Sequence, residues 1–266
     1  IGRGALIAPV SSRTPADFLP AVEGVAFPLP AVVLDGAALY DIRSKTYLYV
    51  KTIGQRDVAA VQAVFDGFGL NCFLYAVIHN VMHVYYGAFT NPVEEEMVHT
   101  LRGNPHKNYV CGPLPAGHLP SRIMAVDTVR MAGRLLDALQ ALPCSSRLRL
   151  VSTPCPGKEG YVCIYIYPAG ATREAAVAEL KRRSGACQVV AFGGSRADIP
   201  MLETADISYA AGDAAAAVRQ AAGHSLLPMG GRKGKEDHVE EAIVKTIDRL
   251  FARGIKDAAA GMSAKE

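Results

Sequence analysis

The run Gln188-Val189-Val190-Ala191-Phe192-Gly193-Gly194-Ser195-Arg196-Ala197-Asp198-Ile199-Pro200-Met201-Leu202 decides how this chain folds. Residues 188–192 form a short apolar strand, and two glycines end it. A helix is expected over residues 199–204, a second strand over 207–210 and a helix over 214–222. A helix over 172–183 precedes the run, and an amphipathic helix over 238–251 closes the pattern. Short apolar strands alternating with helices predict an α/β fold with a doubly wound parallel sheet.

The same pattern stands at the start of the chain. Residues 5–10, Ala-Leu-Ile-Ala-Pro-Val, read as a buried parallel strand whose carboxyl end carries Ser11-Ser12-Arg13-Thr14. Pro15 opens a helix at a first-turn position, where its missing N–H costs nothing. A further strand at residues 31–34 is closed by Asp35-Gly36, and residues 38–41 and 46–51 read as a hairpin-like pair.

From about residue 55 the texture changes. Residues 57–68 have helical spacing, with Val58, Val61, Val64 and Phe65 on one face. Residues 72–86 are rich in β-branched and aromatic side chains and read as one or two strands. Pro92-Val93-Glu94-Glu95-Glu96 starts a helix with acids in its first turn. The Pro/Gly-rich residues 103–120 are long for a loop. A strand at 122–126 leads to a helix through Leu142 with Asp127 as its cap, and residues 148–151 and 161–167 are strands. The chain therefore reads as a core of residues 1–44 and 166–266 interrupted by an inserted α+β module at 45–165.

Composition sets the outer bounds. The 266 residues are 50% hydrophobic and 20% charged with a net charge of +3, ordinary for a globular chain with ample core. No basic stripe interleaves with aromatics, so nucleic acid is not an expected partner; Arg232-Lys233-Gly234-Lys235 is short and followed at once by Glu236 and Asp237. No apolar run reaches the roughly 18–20 residues of a membrane span. The six cysteines form no CxxC pair and read as reduced thiols of a cytoplasmic protein. His79 and His83 have the spacing of a helical zinc pair, but Asn80 replaces the needed Glu and the neighbours are strand formers.

Four ordered pieces resemble the Cof-type, C2-capped branch of the haloacid dehalogenase (HAD) phosphatases. Ser11-Ser12-Arg13 stands where that family has Thr-Gly-Arg, and Leu34-Asp35-Gly36-Ala37-Ala38-Leu39-Tyr40-Asp41 where it has Asn-Gly and a hairpin. Pro168-Ala169-Gly170-Ala171-Thr172-Arg173 matches its Pro-x-Gly turn and Ser-Lys. Gly193-Gly194-Ser195-Arg196-Ala197-Asp198-Ile199-Pro200-Met201-Leu202 matches Gly-Asp-x-x-Asn-Asp-x-x-Met-Leu. The resemblance spans essentially the whole chain. It implies a HAD-like core with a C2 cap, and hydrolysis of phosphate esters of small metabolites. An aspartate nucleophile attacks phosphorus, a second aspartate works as acid and base, and Mg²⁺ and a cation hold the phosphoryl oxygens.

Carried over residue by residue, Ser11 and Arg173 become phosphate-contact positions, with Ser12, Arg13, Asp35 and Gly36 lining the substrate and Asp198 as a metal ligand. The departures fall on the same positions. Arg173 replaces Lys with a larger, differently aimed fork. Gly194 replaces a metal-binding Asp, and Ala197 replaces Asn. Mg²⁺ is usually held by one or two carboxylates plus water, so one carboxylate implies a weak or absent metal. The Asp-x-Asp strand would precede residue 1. The resemblance therefore implies an upstream segment or a protein partner to supply it, since an absent interior strand leaves unpaired backbone edges. Two functions remain open. One is a HAD-like protein impaired in catalysis and kept for binding or structure. The other is an active phosphatase whose nucleophile lies upstream.

Overall fold

The computed structural model describes residues 6–103, 106–226 and 238–253. The chain divides into two compact units, residues 6–176 and the residues from 177 on. This boundary differs from the core–insert–core division drawn from composition.

In the first unit, Val10 makes a single parallel bridge to Val32. It is flanked by Ser11 N–H donating to the Val32 carbonyl and Val32 N–H to the Pro9 carbonyl, both at 2.8 Å. The strand expected at 5–10 is thus reduced to this bridge among the described residues. Helix α1 (Pro15–Phe18) follows. Strands β1 (Ala31–Val33), β2 (Ala38–Asp41) and β3 (Thr46–Val50) form an antiparallel sheet in sequence order.

The inserted module is built on six strands. They are β4 (Phe73–Ile78), β5 (Val81–Tyr86), β6 (Lys107–Cys111), β7 (Arg122–Thr128), β8 (Leu148–Pro154) and β9 (Tyr161–Pro168). Their order is β6-β5-β4-β7-β9-β8. β5 and β6 pair in parallel, and α3 (Pro92–Leu101) supplies the crossover such a pair requires. β6 lies within the stretch read from sequence as loop. It is an edge strand of five residues, too short and too polar to show a period, and only its register on β5 defines it.

Side-chain alternation gives this sheet two different faces. Leu74, Ala76, Ile123, Ala125, Ile164 and Ile166 meet α2 (Gln55–Phe68) and α4 (Val129–Gln140) through Val61, Phe65, Leu135 and Leu139. Phe73, Tyr75, Met124, Val126, Cys163 and Tyr167 meet Val33, Leu34, Ala38 and Tyr40 of the three-stranded sheet and its bend. The cap of α4 is Thr128, not Asp127: Thr128 Oγ1 accepts the Met131 N–H, and Asp127 instead takes the N–H of Thr128. The His79-Asn80 pair forms the hairpin turn between β4 and β5, both residues with positive φ, and His83 sits on β5.

The second unit carries β10 (Val190–Gly193), β11 (Ile207–Ala210) and β12 (His224–Ser225) in a parallel sheet of that order. Its helices are α6 (Ile199–Thr204), α7 (Ala216–Ala221) and α8 (His238–Arg253). Helix α5 (Arg173–Ser184) straddles the boundary between the units. Ile207, Tyr209, Leu226, Ala242 and Leu250 form the core here, with the rings of Phe192 and Tyr209 stacked at 5.2 Å. The basic run 232–235 lies outside the described residues.

Candidate functional site

Strand β1 ends in a bend with three consecutive residues in the left-handed region: Leu34 at φ 52, Asp35 at 55 and Gly36 at 95. Gly36 has no alternative, because a Cβ there would stand 2.1 Å from the Thr172 carbonyl oxygen. The bend is stitched to the loop after Val10. Leu34 N–H donates to the Arg13 carbonyl and Asp35 N–H to the Ser11 carbonyl, at 3.0 and 3.1 Å. Ser11 is half-buried, and its Oγ accepts the N–H of Arg13 at 3.1 Å, which shapes the loop. The side chains of Ser12 and Arg13 are exposed.

The strained turn drives Asp35 inward, where it is only 5% exposed. Two arginines converge on it. Arg173 Nε donates to Oδ1 at 2.6 Å and Arg149 to Oδ2 at 2.8 Å. Arg149 also reaches the Asp35 carbonyl at 3.1 Å and the Ala171 carbonyl at 2.8 Å. Hence Arg173, expected as a phosphate contact, is held by a carboxylate. Asp35, expected at the substrate, is the anchor of two cations. The structure brings Ser11, Arg13, Asp35, Gly36 and Arg173 into one neighbourhood of the first unit, and adds Arg149.

In the second unit, residues 194–198 form a tight loop. Asp198 Oδ2 accepts the N–H groups of Gly194 and Ser195 at 3.1 and 2.9 Å and the Ser195 hydroxyl at 2.8 Å. Ser195 and Asp198 complete a reciprocal capping box at the turn entering α6. A Cβ on Gly193 would lie 2.6 Å from the Asp198 Cβ, so the loop closes tightly around this acid. This loop does not fit Mg²⁺. It offers one carboxylate, three donors already share one of that group's oxygens, and Gly194 adds no acid. Among the described residues no three His, Cys, Asp or Glu side chains gather as a metal site requires.

A second polar cluster of the first unit lies on the sheet face turned toward α1 and β3. Lys107 is 2% exposed and donates to both oxygens of Asp17, at 2.9 and 2.7 Å. Burial pushes the Asp17 carboxyl up, but the Lys107 ammonium, the Thr14 hydroxyl and the Arg122 charge together hold it below its ordinary range. Burial likewise lowers the Lys107 ammonium, with Asp17 opposing. Arg122 is 6% exposed, its guanidinium 3.9 Å from the centre of the Tyr75 ring and 5.2 Å from that of Tyr165. Sequence reading passed over Asp17, Lys107, Arg122 and Arg149. One signal was present: Arg122 opens a strand that is otherwise apolar through Val126. A lone charge there demands a reason for burial.

Comparisons with known proteins agree with this architecture. The family model for haloacid dehalogenase-like hydrolases matches residues 2–228. The chain therefore belongs to that family. No curated protein matches the chain. Among solved structures, a HAD subclass IIB sugar phosphatase is similar at TM-score 0.66 and 18% identity, covering 94% of this chain and 86% of that one. A protein from Thermotoga maritima gives TM-score 0.68 at 16% identity, covering 92% and 86%. A HAD-superfamily phosphatase from Bacteroides thetaiotaomicron gives 0.65 at 16%, covering 94% and 83%. The fold is the α/β HAD fold with its inserted α+β cap.

Proposed function

We propose that this chain binds phosphate esters of small molecules through Ser11, Ser12 and Arg13, and that its Mg²⁺-assisted hydrolysis is impaired. The observation that carries the reading is the loop at 194–198. Its one acid is committed to capping, and a glycine occupies the neighbouring metal-ligand position. Asp35 and Gly36 act in this reading by fixing Arg149 and Arg173 beside the Ser11 loop, not by touching the ligand. The six free thiols suit a reducing, cytoplasmic setting, and no helix among the described residues is long and apolar enough to cross a membrane.

A second reading, an active phosphatase with its nucleophile upstream, draws support from the family match over residues 2–228. The two part on metal. Titration calorimetry of the full protein with inorganic phosphate, with and without Mg²⁺, is the test. The impaired reading expects phosphate binding that Mg²⁺ does not change and that Ser11→Ala weakens. Binding strengthened ten-fold or more by Mg²⁺ favours the active enzyme.

A further inference from the structure

At one end of the six-stranded sheet, where β4 begins and β5 and β6 end, a cleft of about 590 Å³ opens in the first unit. Small-molecule sites ordinarily measure roughly 300–1,000 Å³. None of the lining residues belongs to the Ser11 loop, the Asp35 bend or the loop at 194–198.

The end of α2 shapes this cleft. Gly69 stops the helix in the left-handed region at φ 64, and its N–H returns to the Asp66 carbonyl. Leu70 N–H then donates to the Phe65 carbonyl at 2.9 Å, and the chain reverses into β4. The last turns of α2 are left facing Leu74 and Tyr85 of the sheet. Phe65, Leu74 and Tyr85 are buried and Leu70 is half-buried, so the inner wall is apolar.

The polar part of the lining has one sign. Gln62 and Asp66 lie one turn apart on α2, and both reach the cleft. Among the described residues neither side chain has a hydrogen bond or an ion pair. No Lys, Arg or His lines the cleft. Behind its wall, buried Glu94 accepts the Thr90 N–H at 2.8 Å and an Asn71 N–H at 3.4 Å, and both of these partners are lining residues. The carbonyl end of α2 adds a partial negative charge. The Cys72 thiol, also on the wall, registers this field. Burial pushes it up to about 12, and the Asp66 and Glu94 charges act in the same direction.

We propose that this cleft is a binding site for a small organic cation, a protonated amine carried on an apolar, ring-bearing body. The ammonium donates to the Asp66 carboxylate and the Gln62 amide oxygen, and the body lies against Phe65, Leu74 and Tyr85. A neutral ligand forgoes the charge-assisted bond, and an anion meets acids with no cation to offset them. The site does not rest on the phosphate reading given above.

Three probes of similar shape and different charge test this on the full protein: 2-phenylethylamine, 2-phenylethanol and 3-phenylpropionate. Each is titrated while the backbone amides are followed by nuclear magnetic resonance. The amine should bind at least about five-fold tighter than the alcohol, with the carboxylate weakest. The shifts should centre on Gly69, Gly87 and Gly112, which line the cleft. Asp66→Asn should bring the amine and the alcohol within about two-fold of each other. Asp66 is exposed, so this variant keeps the fold. Ala88→Phe, at an exposed lining position, fills the cleft and should weaken all three probes. Affinity for the alcohol or the carboxylate equal to or above that for the amine overturns the proposal, as does the absence of saturable amine binding up to about 10 mM. Shifts centred elsewhere, or amine binding untouched by both Asp66→Asn and Ala88→Phe, overturn it as well.

Discussion

The two faces of the six-stranded sheet solve the same burial problem in opposite ways. The centre of the face under α2 and α4 is packed with apolar side chains, and Leu135, Leu139, Ile123, Ile164 and Ile166 are fully enclosed. The face toward α1 and β3 is equally inaccessible, yet it holds a lysine, an arginine and a row of tyrosines. Apolar burial stabilises by roughly 25 cal/mol per Å², whereas a buried ion gains little once its desolvation is counted. The first face therefore holds the module together. The second carries buried charge at a cost in stability.

Substitutions can break that contrast. Leu135→Ala should cost about 2–5 kcal/mol in denaturant unfolding, because the cavity opens between α4 and the sheet where nothing can relax into it. On the other face Asp17→Ala should cost about 3 kcal/mol, for a different reason: Lys107 loses its paired acid while remaining buried. A similar loss on both faces is expected, but only the second should depend on acid pH. The folded Asp17 carboxyl titrates below its ordinary value of 3.8, so its contribution is present above that pH and fades as pH falls through the lower folded value. The acid limb of unfolding should accordingly flatten in Asp17→Asn, and an unchanged limb would remove the ion pair from the account. Thr128→Ala should cost about 1 kcal/mol by uncapping α4. Smallest of all, Arg122→Met should leave stability within about 1 kcal/mol or raise it, since it exchanges a buried ion for an apolar chain of similar length. A loss as large as that of Leu135→Ala would make Arg122 a structural residue.

The helical face was open to sequence reading because its physics is periodic. Val58, Val61 and Phe65 recur at helical spacing, and the alternation in residues 122–126 and 161–167 matches strands. The polar face was not, because its residues come from strands far apart in the chain and share a face only once register is set. β6 escaped notice for the same reason: Lys107 and Tyr109 look like loop residues until β5 pairs with them. At the candidate site the motif order located Ser11, Asp35, Gly36, Arg173 and Asp198. It did not reveal that Asp35 would be drawn between two arginines, since Arg149 lies 114 residues away. Nor did it reveal that Asp198, read as a metal ligand, would close a capping box with Ser195.

Under the proposed function, the chain keeps the HAD framework while the loop at 194–198 does not support metal-assisted hydrolysis. The most direct test is release of phosphate from an aryl phosphate by the full protein, together with any upstream segment it carries, with and without Mg²⁺, beside Gly194→Asp. The account predicts no Mg²⁺-dependent turnover in the unmodified protein and a gain in Gly194→Asp. Mg²⁺-dependent turnover by the unmodified protein, unchanged when Gly194 is replaced, would contradict it.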